Sequence, residues 1–469
     1  MANRKATDRN PYIIILGILI INFLGLFSET SLNIALPVLR RAFNVSSAQI
    51  QWLVISYILM VGLTLPLSTL ISHWFKTRNI ILFSILIFGL GAIIAAISQN
   101  YFWLLFGRTI QGIGTGLFIP LMFTIAALIF PSNKLGIAMG LISVVMNFAP
   151  AIGPTLSGVI INYLSWRWIF WLFLPFLFLA FILDILVMPN IISKTKPSFN
   201  WLDVIYSLLG FGLLVTAIGL VANLGWHSPI VVILLIASLI ILYRYVKRQI
   251  ASKHPILDFT ALKQKTYRDG SVLVILNLGI ILGAMYLLPQ ILQNGLGYSA
   301  NLAGWIMLPA GILNAIFAVI SGKLYDSYGA KKWVQVGSLF LLCGGLMLAF
   351  INLHSSIIYI ILAQSILLMG DSFLLSPAQS YTLNSLKKEK ISNGSTLMNT
   401  FQQIIGAIST SIVTTLLVSG EQISQSSSQA GKFISGSHLG FVFVLLLVII
   451  IIIFAFQIKE KPQKNKKNP

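Results

Sequence analysis

Fourteen apolar stretches of about 20 residues dominate this sequence and constrain its structure more than any other feature. They run at roughly 12–34, 49–71, 79–98, 102–129, 135–160, 168–188, 201–222, 229–247, 270–292, 301–322, 333–352, 356–379, 394–418 and 437–457. A helix rising 1.5 Å per residue crosses a hydrocarbon layer of about 30 Å in about 20 residues, so each run is long enough to span a membrane. The runs are continuous rather than alternating in and out, which excludes a transmembrane β-barrel. Only 9% of the 469 residues are charged and 57% are hydrophobic, whereas globular chains carry about 25% charged residues. A soluble protein is thereby excluded, and the expected class is an all-α polytopic membrane protein with 14 transmembrane spans.

The 31 Lys and Arg residues exceed the 11 Asp and Glu residues by 20. In a soluble chain that excess would point to nucleic acid. With the N-terminus cytoplasmic, however, 26 of the 31 fall in cytoplasmic segments, four fall in outer loops (Arg40, Arg41, Arg167, Lys432), and Arg108 alone lies deep in a span. The basic excess is therefore a topology signal: both termini are expected in the cytoplasm of a plasma membrane, with no nucleic-acid partner. Arg4, Lys5 and Arg9 precede the first apolar run without a convincing small-residue cleavage site, so it reads as an uncleaved helix. Cys343 is the single cysteine, which rules out an intramolecular disulfide.

Gly322–Lys332 (GKLYDSYGAKK) aligns with Thr69–Asn79 (TLISHWFKTRN), an internal repeat at an offset of 253 residues. Residues 1–200 read as one six-helix bundle, 201–247 as two extra helices, 248–268 as a basic cytoplasmic loop, 269–457 as a second six-helix bundle and 458–469 as a basic cytoplasmic tail. Residues 419–436 are expected to form a Ser/Gln-rich outer loop.

The repeated segment resembles the cytoplasmic loop motif of the major facilitator superfamily. Glu29–Pro37 (ETSLNIALP) resembles the first-helix motif of the fourteen-span drug:proton antiporters, with Glu where most members carry Asp. Arg108, Gln111, Gly112, Gly114 and Gly116 are similar to its R-x-x-Q-G-x-G motif. Ala149–Gly158 (APAIGPTLSG) resembles the antiporter motif, which adds Pro150, Gly153, Pro154 and Gly158 as hinge residues. The first-half loop has lost its glycines and its acid, although Arg78 remains; with Glu29, this resembles the lincomycin-resistance type of efflux permease. The resemblance implies a major facilitator fold that exports small molecules by alternating access, with gating residues Gly322, Asp326, Gly329, Lys331 and Arg78.

No G-x-x-x-x-G-K-[ST] occurs, so the chain has no phosphate-cradling loop for ATP. The five histidines show no metal-ligand spacing. Neither enzyme chemistry, a metal nor a cofactor is expected, and energy is expected from the proton gradient. Ionisable groups inside spans are costly and so carry the functional signal. Glu29 and Arg108 both lie roughly 8–11 Å below the outer surface by helical rise; they are placed to pair directly or through water, or else Arg108 snorkels while Glu29 meets interfacial water. Asp371, deeper toward the cytoplasm, is either a second proton or cation site or a carboxyl bonded to Ser372 or Gln364 without a transport role. Asp184 and Asp203, near span ends, are left out of the site. Expected cavity residues are the polar Asn33, Gln111, Asn147, Asn277, Gln290, Gln364, Asn399, Gln402 and Gln403, with Tyr57 and Tyr286 placed to stack on a lipophilic cation. Some of these will be helix-to-helix glue instead. The expected function is proton-coupled export of hydrophobic or cationic drug-like compounds by a monomer whose partners are protons, the small-molecule substrate and the bilayer. The rivals are a metabolite or lipid transporter on the same fold, and a non-transport receptor or scaffold.

Overall fold

The computed structural model describes residues 10–130, 135–191, 200–252, 255, 257, 259–386 and 388–458. The fourteen membrane-length helices are α1 (Pro11–Phe43), α2 (Ser47–Trp74), α3 (Thr77–Ala96), α4 (Tyr101–Ile129), α5 (Leu135–Tyr163), α6 (Trp168–Val187), α7 (Trp201–Leu224), α8 (Pro229–Ala251), α9 (Lys265–Gln290), α10 (Ala300–Tyr328), α11 (Lys331–Ala349), α12 (Ile357–Asn384), α13 (Lys388–Ile423) and α14 (Gln429–Gln457). Short polar residues set where they begin. The side chains of Asn10, Ser46, Asn100, Asn200, Ser299, Ser356 and Ser428 each accept a backbone N–H in the first turn that follows. Gln49 completes a capping box with Ser46.

Two connections are more ordered than the sequence alone indicates. The expected outer loop at 419–436 is mostly helix, since α13 runs to Ile423 and α14 starts at Gln429. A Cβ on Gly436 would come within 2.4 Å of the Leu417 carbonyl oxygen, so a bare backbone there lets the two helices pack through their ends. In the basic segment 248–268, α8 continues to Ala251, a 3₁₀ turn covers Phe259–Lys263 and α9 begins at Lys265. Arg248 reaches Asp203 of α7 at 2.6 Å, which carries the helix past the expected end.

Helices α1–α6 pack as one bundle and α9–α14 as the second. They meet along two seams, α5 against α10 and α2 against α13. The first is built from small residues. Gly304 of α10 lies against the Thr155 backbone, and Gly158 of α5 lies against the Ala300 carbonyl. The α7–α8 hairpin lies over the second seam, with α7 touching both α2 and α13. Within the first bundle, Gly112 and Gly116 of α4 face the backbone of α2, so their G-x-x-x-G spacing serves close packing.

Candidate functional site

A cavity of about 200 Å³ lies between the bundles, lined from α1, α2, α4, α5, α9, α10, α12 and α13. Glu29 contributes from one bundle and Asp371 from the other; among the described residues these two are the titratable ones in its wall, and no Lys, Arg or His lines it. Asn399, Gln403, Asn277 and Gln402, all expected on sequence grounds, do line it, and so does Pro150 of the hinge motif. Asn22, Thr30, Asn314 and Gln379 were missed by sequence reasoning. Asn22 and Asn314 carry the same signal that singled out the others, an amide within an apolar run.

Glu29 is 5% exposed and has no hydrogen-bond or ion-pair partner among the described residues. The expected direct pair with Arg108 does not form. Arg108 is fully buried and spends its donors elsewhere: Nε to the Leu53 carbonyl at 3.1 Å, Nη1 to Ser28 Oγ at 2.6 Å and Gln111 Oε1 at 3.1 Å, and Nη2 to the Ser28 carbonyl at 3.1 Å. Its guanidinium carbon also sits 4.1 Å from the centre of the Tyr57 ring. Arg108 therefore acts on Glu29 through the preceding residue, holding the turn of α1 that presents the carboxyl. It neither snorkels nor points to the cavity.

Asp371 is held by amides. Asn277 Nδ2 donates to Oδ1 at 2.5 Å and Asn314 Nδ2 donates to Oδ2 at 2.7 Å. The alternatives of Ser372 or Gln364 as its partner are not what forms. Ser372 Oγ donates to the Asn314 and Leu368 carbonyls, and Gln364 Oε1 is buried without a partner.

The other sequence candidates lie outside the cavity. Tyr57 donates to the Gly25 carbonyl at 2.7 Å and contacts Thr115 Oγ1 at 2.7 Å. Asn33, Gln111, Tyr286 and Gln290 are buried in the packing beyond Glu29, toward the end of the molecule opposite the termini. The Asn147 side chain lies outside the described residues.

That far end is closed by hydrogen bonds between the bundles. Gln51 Nε2 donates to the Thr410 carbonyl at 2.5 Å, Gln293 Nε2 to the Ile34 carbonyl at 3.0 Å and Thr155 Oγ1 to the Gly304 carbonyl at 2.9 Å. The cavity lies on the terminus side of this seal. Gln293 belongs to one turn of π-helix, Ile291–Gly295, that continues α9; such a turn is frequent at functional sites.

In α5, Pro154 has no N–H to give the Pro150 carbonyl. Thr30 of α1 supplies the donor instead, at 3.0 Å, and Gly153 leaves room for its hydroxyl. Of the loop-motif residues, Arg78 donates from Nη2 to the Ile185 carbonyl in the last turn of α6. Gly329 ends α10 at φ +79°, which glycine alone adopts without strain, and Lys331 starts α11. Gly322 faces Ser376 of α12, while the Asp326 side chain lies outside the described residues.

The chain resembles known transporters in sequence and in shape. It is 37% identical over 412 residues to the lincomycin resistance protein LmrB of Listeria monocytogenes, covering 88% of both chains. It is 26% identical over 404 residues to the probable multidrug resistance protein EmrY of Escherichia coli, covering 84% of this chain and 78% of that one. Among solved structures, a POT peptide transporter superposes with a TM-score of 0.67 at 15% identity, covering 94% of each chain. The xylose transporter XylE from E. coli, in a partially occluded inward-open conformation, gives 0.64 at 14% identity and covers 96% of this chain and 98% of that one. The Major Facilitator Superfamily model matches residues 18–201 and again 199–410. Two six-helix bundles, fourteen spans and these matches together place the chain in the major facilitator superfamily, a family of membrane transporters rather than enzymes.

Proposed function

We propose that the chain is a proton-coupled antiporter that exports hydrophobic, positively charged drug-like compounds by alternating access. One observation carries this reading: a cavity between the bundles exposes a carboxyl from each and, among the described residues, has no basic residue in its wall. An apolar lining of Leu, Ile and Met accepts a lipophilic body, and the acids recognise positive charge. A wall without cations disfavours the rival reading of an anionic metabolite or lipid headgroup as cargo. The resistance-protein names of the relatives agree with drug efflux.

With both termini in the cytoplasm, the seal is extracellular and the cavity is on the inward side, so the structure corresponds to the substrate-loading state. Glu29, which has no fixed partner, carries the exchangeable proton. Substrate in the cavity and a proton on Glu29 exclude each other, and that exclusion couples their fluxes. The proton gradient supplies the energy, in a plasma membrane, and a monomer contains the whole pathway.

Glu29→Gln keeps the size of the side chain and removes its proton site. It should abolish uphill export in proteoliposomes and the release of protons when substrate is added to purified protein in weakly buffered detergent. Uphill export by Glu29→Gln at the parental rate would place coupling elsewhere.

A further inference from the structure

Two acids face the cavity, but their surroundings differ in kind. Glu29 receives no donor among the described residues, whereas each oxygen of Asp371 receives an amide N–H, from α9 and from α10. The Asn314 amide cannot be turned round to reverse its role. Its Nδ2 also donates to the Leu368 carbonyl at 3.1 Å, and a carbonyl can only accept. Oδ2 of Asp371 is therefore held as an acceptor. Ser372, through its bonds to the Asn314 and Leu368 carbonyls, locks α10 and α12 together around this contact.

The cavity wall also has acceptors to spare. Asn277 Oδ1 is buried without a partner and lines the cavity, and so is Gln403 Oε1 from α13. A buried acceptor left unpaired costs about 1–3 kcal/mol, so it favours a guest that donates. A carboxyl group oriented as an acceptor, in a wall that offers further unpaired amide oxygens, matches a cationic group that carries N–H donors.

We propose that Asp371, oriented by Asn277 and Asn314, is a fixed docking site for the cationic N–H group of the transported compound, separate from the proton-exchanging Glu29. This rests on the reading of the cavity as the transport site and divides the work of the two acids within it. Asp371 sets affinity, and Glu29 sets coupling. A purely structural role, stapling α9, α10 and α12, would move stability without separating these two quantities.

Ethidium, a permanent cation with two exocyclic amino groups, serves as the probe. Its binding to purified full-length protein is followed by fluorescence anisotropy, and proton release by a pH indicator in weak buffer. Asp371→Asn should weaken ethidium binding about tenfold or more, yet saturating ethidium should still displace a proton. Glu29→Gln should displace none, and should lose less ethidium affinity than Asp371→Asn. Asn314→Leu, which keeps the acid and removes its orienting donor, should also lose affinity while retaining proton displacement at saturation; it serves as the test should Asp371→Asn fail to fold. Parental affinity in both Asp371→Asn and Asn314→Leu, or loss of proton displacement from Asp371→Asn at saturation, would overturn the assignment. Ethidium binding to the parent without proton displacement would sink the coupling reading, while leaving the docking site supported if Asp371→Asn still loses affinity.

Discussion

Gly153 stands where α5 meets α1, and the fit there depends on one missing methyl group. A Cβ on it would come within 2.4 Å of Thr30 Oγ1, the atom that satisfies the carbonyl stranded by Pro154. Gly153→Ala must push that hydroxyl away, adding overlap to a lost hydrogen bond. The expected cost is about 1–3 kcal/mol, read as a lower unfolding temperature in detergent, with Thr30→Ser as a control that keeps the hydroxyl. An unchanged unfolding temperature would mean that the α1–α5 contact gives way freely. The proline and glycine pattern was visible in the sequence, but its partner was not. Thr30 lies 120 residues away and looks like any other residue of an apolar span.

Among the elements, the α7–α8 hairpin is less peripheral than two extra helices suggest. Phe211 of α7 packs edge-on against Tyr245 of α8, with ring centres 6.2 Å apart, and against Phe401 of α13 at 6.3 Å. Higher on the same helix, Gly219 lies directly against the Trp52 ring of α2. The hairpin thus holds both bundles at one seam, while the α5–α10 seam includes close glycine and threonine contacts. Phe211→Ala should cost about 3–5 kcal/mol, felt first as faster amide exchange in 201–224 than in the α4 interior. Equal exchange in the two regions, relative to the parent, would show that the hairpin does not depend on this aromatic cluster. Hydropathy reveals that these helices exist, but not which seam they cover, because lipid-facing and seam-facing residues alike are mostly apolar.

At the scale of the whole molecule, three side chains close the far end between the bundles, and each donates to a backbone carbonyl of the other bundle. The reading as an inward-facing transporter depends on which membrane face that end occupies. Cysteines introduced at Ser426 and at Lys464 in a Cys343→Ser background test it with an impermeant thiol reagent on intact cells. Labelling at Ser426 and protection at Lys464 are expected; equal labelling would refute an even number of crossings with cytoplasmic termini.

The sequence by itself determined the class, the number of spans and the family resemblance. These follow from local quantities: the length of an apolar run, the side of the membrane on which basic residues collect, and short motifs with fixed spacing. It also singled out Glu29, Arg108 and Asp371, because an ionisable group within lipid-length apolar sequence is costly wherever it ends up. Only the tertiary structure decided their partners. Arg108 is within reach of Glu29 by depth, yet its directional donors are used by Ser28, Gln111 and the Leu53 carbonyl. Asp371 takes amides from two other helices, one of them from Asn314, whose place in an apolar run marks it as polar but not as a partner of Asp371. Hydrogen bonds are settled by orientation within about 3 Å, and helical rise predicts depth in the membrane without saying which way a side chain turns.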